Sequence, residues 1–213
     1  MINKIPLLAI PILLTGCSLF TYTDTAVFLK GYMFGYEEDH ISKDQYDSMT
    51  ASFANLKIGR GISSTVVLAY IKEGTFEWRS ADNISIFTDN GVISKVTGLQ
   101  SDITFSGTNI LNIELLDQLL DEEFESFVGF SDPFLYRSVM VNVVHKSNRE
   151  VTLNTPNGPI IANLYTHKFH VPSIGWSGTN NYFIDKNGLT IRAEQDIHPF
   201  LPRFTINYFY KFN

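Results

Sequence analysis

Two short turns constrain this chain more than any other feature of it. Asp89-Asn90-Gly91 and Lys186-Asn187-Gly188 are the kind of sequence that reverses an antiparallel hairpin. Asn and Gly accept the positive φ angles that a tight turn requires. Runs of β-branched and aromatic residues flank each turn: 84–88 and 92–97 around the first, 182–185 and 189–194 around the second. The same grammar extends along the chain. From Thr50 apolar and polar residues alternate with period two until Gly59-Arg60-Gly61 breaks the run. Residues 65–71 read as a buried strand, and Lys72-Glu73-Gly74 turns them back into 75–80. There Phe76 and Trp78 share one face while Glu77 and Arg79 share the other. Residues 103–105 continue the meander, and strands return at 138–146, 150–154 and 160–171. The last two are joined by Thr155-Pro156-Asn157-Gly158-Pro159, a turn by composition. Residues 175–181 read as a Gly/Ser/Asn loop carrying Trp176, and 204–212 close the chain as an aromatic strand. The expected fold is mainly β, an antiparallel barrel-like or strongly curved sheet. Closure would shield long aromatic strands from edge-to-edge pairing.

Helical periodicity occurs in two places. Ala26, Val27, Leu29, Tyr32, Met33 and Tyr36 fall near helical spacing. Leu111, Leu115 and Leu119, with Ile113, Leu116 and Leu120 beside them, form a broad apolar stripe. These predict one or two helices, near 24–36 and 110–124, packed on the sheet. Residues 42–49 are polar and short, a turn or a single helical turn.

The N-terminus carries an address. Residues 1–4 are short and basic, and 5–14 are apolar throughout. Ten residues are too few to cross a bilayer, which takes about 20 as helix. Leu14-Thr15-Gly16-Cys17 then supplies a branched apolar residue, two small residues and a thiol. This is a lipobox behind a secretory signal peptide. The expected division is a leader over 1–16 and one periplasm-facing domain over 17–213. Cys17 is the lone cysteine. In an oxidising compartment structural cysteines come in pairs, so a lone one at the cleavage point reads as the lipid attachment residue. Ser18 in place of Asp points to the outer membrane. A diacylglyceryl group plus an amide-linked acyl chain such as palmitate exceeds the two-anchor minimum for stable attachment.

Charge narrows the partners. With 16 Lys and Arg against 22 Asp and Glu, the chain has a net charge of −6. Nucleic-acid binding draws on clustered cations, so no nucleic acid is expected; the membrane enters through Cys17.

Two blocks carry a family resemblance. The first is Val67-Leu68-Ala69-Tyr70-Ile71, Trp78-Arg79-Ser80-Ala81-Asp82-Asn83, Asp89-Asn90-Gly91 and Ile93-Ser94-Lys95-Val96. The second is Tyr182-Phe183-Ile184-Asp185, Asn187-Gly188, Ile191-Arg192 and the strand from Phe204. In this order behind a lipobox, the chain resembles the YjbF family of bacterial lipoproteins, encoded with exopolysaccharide and group 4 capsule export genes. The resemblance implies a barrel-like, mainly β lipoprotein of the outer membrane. It implies a part in assembly or export of a surface polysaccharide, with polymer and export-machinery proteins as partners. It brings no catalytic residues and no cofactor.

The residues add little chemistry of their own. A glycosidase needs two carboxylates flanking the bond, and no spacing singles out a pair among Glu77, Asp82, Asp89, Asp185 and Glu194. The histidines read as scattered surface or edge residues. His167 and His170, three apart on a strand, point to opposite faces and cannot share a metal. The expected role is therefore non-enzymatic, with no metal and no catalytic residue. An envelope enzyme that trims the polymer is the competing class. Trp176 and Trp78 are the candidate ligand or partner contacts, since aromatic rings stack on sugar faces. Trp78 shares its face with Phe76, which favours the core, while Trp176 sits among glycines. A membrane-spanning barrel is the remaining alternative, suggested by the aromatic final strand.

Overall fold

The computed structural model describes residues 41–99, 102–106, 119–130 and 136–211. Twelve strands lie among them. In chain order they are β1 (Phe53–Ile58), β2 (Ser64–Lys72), β3 (Thr75–Arg79), β4 (Ser85–Asp89), β5 (Val92–Thr97) and β6 (Ile103–Ser106), then β7 (Glu123–Phe130), β8 (Tyr136–Thr155), β9 (Gly158–Val171), β10 (Trp176–Asp185), β11 (Thr190–Gln195) and β12 (Phe204–Phe209). Each strand pairs antiparallel with the next, and β1 also pairs with β12, so the sheet closes into a barrel. The mainly β, barrel-like expectation holds.

Period-two alternation decides which side of the wall each residue faces. On β12, Phe204, Ile206 and Tyr208 are buried, and Thr205, Asn207 and Phe209 alternate with them. Trp78, Ile86, Val96, Ile103, Val128, Met140, Tyr182 and Ala193 join that core. Burying each large apolar side chain contributes roughly 1.5–3 kcal/mol. Charged pairs such as Glu77–Arg79 and Arg192–Glu194 lie on the outside. A membrane-spanning barrel has the opposite polarity, with an apolar band facing lipid. Strands β3 and β4 have five residues each, and a spanning strand needs about 9–11.

The two Asn-Gly turns meet. Strands β4 and β11 are far apart in the sheet, yet the Asn90 side chain donates to the Gly188 carbonyl at 3.0 Å. Thr190 Oγ1 donates to the Asn90 carbonyl at 2.6 Å. The Gly91 carbonyl accepts from Gln195 Nε2 at 3.0 Å and from the Tyr208 hydroxyl at 3.1 Å. The β4–β5 turn thus reaches across one end of the barrel to the opposite wall.

Several expectations change at the level of elements. Residues 24–36 and most of 110–124 lie outside the described residues, as does Cys17. At the end of the second predicted helix the chain is already strand β7. Glu123 and Glu125 face solvent while Ser126, Val128 and Phe130 are buried, a period of two that the leucine stripe before it obscures. Residues 175–181 are not a loop: β10 begins at Trp176 and pairs with β9 without interruption. Runs 138–146 and 150–154 are one strand, β8, carrying a register shift between Lys146 and Glu150. The polar stretch after Ser42 is a short helix, α1 (Lys43–Ser48), closed by a capping box between Ser42 and Gln45.

Gly91 has φ +82°, and a Cβ there would stand 2.5 Å from Thr190 Cβ. Gly91→Ala is therefore expected to cost at least about 1 kcal/mol from backbone strain alone, plus the displacement of Thr190. A lowered urea midpoint with an unchanged slope would register it; an unchanged midpoint would show that the two turns do not need their close approach.

Candidate functional site: a groove on the outer wall

The β8–β9 hairpin is longer than the strands beside it. Pairing of β9 with β10 ends at Ala162–Asp185, while β8 and β9 continue together to Thr155–Gly158. The projecting arm lies across the outside of the barrel. Its tip touches α1, where Lys43 Nζ donates to Asn157 Oδ1 at 3.3 Å. Between arm and wall is a groove of about 380 Å³, within the usual range for ligand sites.

Three strands supply the floor. Asn55 on β1 stands opposite Asn207 on β12, which stands opposite Arg192 on β11. Two amides and a guanidinium therefore form one row across the wall. Arg192 is held by Glu194, its Nε 3.1 Å and its terminal nitrogen 3.0 Å from Oε1. A register shift against β10 leaves Ile191 as the extra residue beside Arg192, and both line the groove. Bulges re-aim side chains in this way.

The end of the floor is aromatic. Phe209 stacks on Phe53 at 4.9 Å, and Tyr46 of α1 packs on both at 6.2 and 6.0 Å. Lys211 caps this cluster, 3.6 Å from the Tyr46 ring centroid. The arm contributes Thr152, Leu153, Asn154, Thr155 and Pro156, and Ile41 and Tyr208 complete the described lining. Among the described lining residues none is Asp or Glu.

A second cavity of about 20 Å³ lies beside His167, about enough for one water molecule. His167 is 1% exposed, which corrects the surface or edge reading of the histidines. Its Nε2 is 2.9 Å from Asn142 Oδ1, and Asn180 Nδ2 is 3.3 Å from its Nδ1. Asn142 Nδ2 donates to Ser126 Oγ at 2.9 Å, and Asn180 Oδ1 accepts from the Asp196 amide at 2.7 Å. The chain of donors is satisfied with a neutral imidazole protonated at Nε2. Burial drives the His167 pKa down to about 3 from its ordinary 6.5. His170 lies on the opposite face, exposed. Asp196 in turn binds Arg203 at 2.7 Å.

The two tryptophans have different fates. Trp78 is 1% exposed inside the barrel, donates to Thr88 Oγ1 at 2.9 Å and packs on Tyr208. It is core, and a polymer cannot reach its ring without opening the wall. Trp176 is half-buried at one mouth of the barrel, edge-on to Phe169 at 4.7 Å and tilted on Phe130 at 5.8 Å. Neither residue lines the groove. Asn55, Asn207 and Arg192 do, and sequence reasoning passed over them. Their signal was only that polar residues recur at outward positions of three separate strands.

Comparison with known proteins agrees with the architecture. The hypothetical lipoprotein YmcC from Escherichia coli has the same fold, with a TM-score of 0.70 at 16% identity over 92% of this chain and 99% of that chain. A structure from Parabacteroides distasonis aligns at a TM-score of 0.35 and 10% identity, over 74% of this chain and 93% of that one, too low to bear on the argument. No curated protein matches the sequence. The family model described as "Group 4 capsule polysaccharide lipoprotein gfcB, YjbF" matches residues 26–209. The chain belongs to the YjbF family. YjbF membership makes it a capsule-related lipoprotein, with membrane anchoring the attachment its class suggests.

His167 gives the YjbF barrel a built-in pH dependence. Below pH 6.5 the unfolded chain takes up a proton at this residue that the folded chain refuses until about pH 3. The stability held above pH 6.5 is thus lost as pH falls, by up to about 1.4 kcal/mol per pH unit from this group. Urea denaturation at pH 7, 5.5 and 4 should show the wild type losing more stability than His167→Gln. Parallel losses would mean that the imidazole is not held neutral.

Proposed function

We propose that this protein is an outer-membrane lipoprotein, anchored through Cys17, whose barrel faces the periplasm and supports assembly or export of capsule polysaccharide without catalysing a reaction. The observation that carries this reading is the family match over residues 26–209. The lipobox ending in Cys17 and the following Ser18 support the anchor and its membrane. Polymer and export proteins are the partners in view. Hydrolysis of a glycosidic bond needs paired carboxylates, and the groove's described lining carries amides, hydroxyls and one guanidinium instead. That chemistry favours holding a polymer over cutting one. Trp176, at the barrel mouth, is a second candidate contact.

Deleting the gene is expected to remove polymer from the cell surface or strand it in the periplasm, read by quantifying surface and periplasmic polysaccharide. Polymer of normal amount and place but altered chain length would favour the trimming enzyme. No change at all would refute the polysaccharide role. Cys17→Ala is expected to move the protein from the outer-membrane fraction to a soluble or inner-membrane fraction and to reproduce the deletion phenotype.

A further inference from the structure

We propose that the groove under the β8–β9 arm is a binding site for a neutral, hydroxyl-rich segment of saccharide. The proposal rests on the capsule reading above and deepens it. It begins from the row Asn55–Asn207–Arg192. Neighbouring strands stand about 4.8 Å apart, so Asn207 and Arg192 lie side by side on the groove floor, with Asn55, only 6% exposed, on the far side of Asn207. Amides donate and accept at once, as hydroxyl recognition requires. The closed sheet fixes the row, so little ordering is needed when a sugar arrives.

Apolar surface flanks the polar row. Phe209, Leu153 and Ile191 all border the groove, where the C–H faces of sugar rings find contact. The described lining supplies no carboxylate. Charge decides between neutral and acidic saccharide. Arg192 is bound to Glu194 at 3.0 Å, and both side chains are 21% exposed. The guanidinium's charge is thus offset by its own partner. An acidic polymer would meet an ion pair here rather than a free cation.

The arm forms the facing side of the groove. At its base, three residues of β8 (147–149) stand opposite one of β9. At its tip it is tied to α1 through the exposed Lys43–Asn157 hydrogen bond.

The test uses the full-length lipidated protein in detergent. The probe is a set of oligosaccharides made by partial hydrolysis of the capsular polymer of the strain that carries the gene, titrated calorimetrically. Asn207→Ala and Arg192→Ala are each expected to weaken binding about tenfold. Lys168→Ala, exposed on β9 away from the groove, should leave binding unchanged. Asn207→Asp keeps the side-chain volume and serves if the alanine variant fails to fold; it should also weaken binding. Affinity should change little between low and high salt, because no net charge is neutralised. Absence of binding by the wild type, equal binding by all variants, or a steep loss of affinity with salt would overturn the assignment. The groove variants are also returned to the deletion strain. If deletion removes surface polymer but the groove variants restore it fully and bind as wild type, this site fails and the capsule role stands. If the variants lose binding while deletion leaves the polymer untouched, the site stands and the capsule role fails.

Discussion

The structure depends on the ladder between its first and last strands. From Phe53–Phe209 to Ile58–Phe204, six residue pairs join β1 to β12, and with them a twelve-stranded meander loses both edges. An open sheet of this length would expose rows of unpaired N–H and C=O groups. Closure also turns alternation into an inside and an outside. Ala54, Leu56, Ile206 and Tyr208 fall within, while Asn55 and Asn207 fall on the outer wall next to Arg192. The same ladder that seals the core therefore assembles the polar row of the groove.

A wide barrel has a problem that a narrow one avoids. Eight strands enclose an interior just wide enough for side chains to fill, and diameter grows with strand number. Twelve strands leave space to be occupied. Here the β4–β5 turn crosses one end, with the Gly91 carbonyl gripped by Gln195 and Tyr208. Trp78, Tyr182 and Tyr208 fill the middle, their polar atoms donating to Thr88, Gln195 and the Gly91 carbonyl, and His167, Asn142 and Asn180 bond to one another. Among the described residues a cavity of about 20 Å³ lies inside, beside His167. Outside, the overhanging arm forms a larger concavity of about 380 Å³.

The amphipathic wall also explains where sequence reading succeeded. Turns such as Asp89-Asn90-Gly91 and strands such as 65–71 are local matters, set by permitted φ angles and by a period of two. The same local logic misplaced Trp176. Its neighbours Gly175 and Gly178 suggested a loop, but Gly178 sits in β10 facing the Phe169 ring, where a Cβ would come within 2.6 Å of that ring. That glycine marks a close contact rather than a flexible chain. His167 was misjudged for a related reason: one polar residue on an inward position says nothing of the Asn142 and Asn180 partners that make its burial affordable.

By itself the sequence determined the class of the protein: an antiparallel β meander with tight Asn-Gly reversals that carries the ordered motifs of the YjbF family. Those are properties of neighbouring residues, and short-range sterics suffice to read them. The tertiary structure alone decided that β12 returns to β1, that the two Asn-Gly turns touch, and that Asn55, Asn207 and Arg192 lie side by side. Asn55 is more than a hundred positions from both Arg192 and Asn207 in the chain, and only the register of a closed sheet, set by burying one face of every strand, brings it beside them.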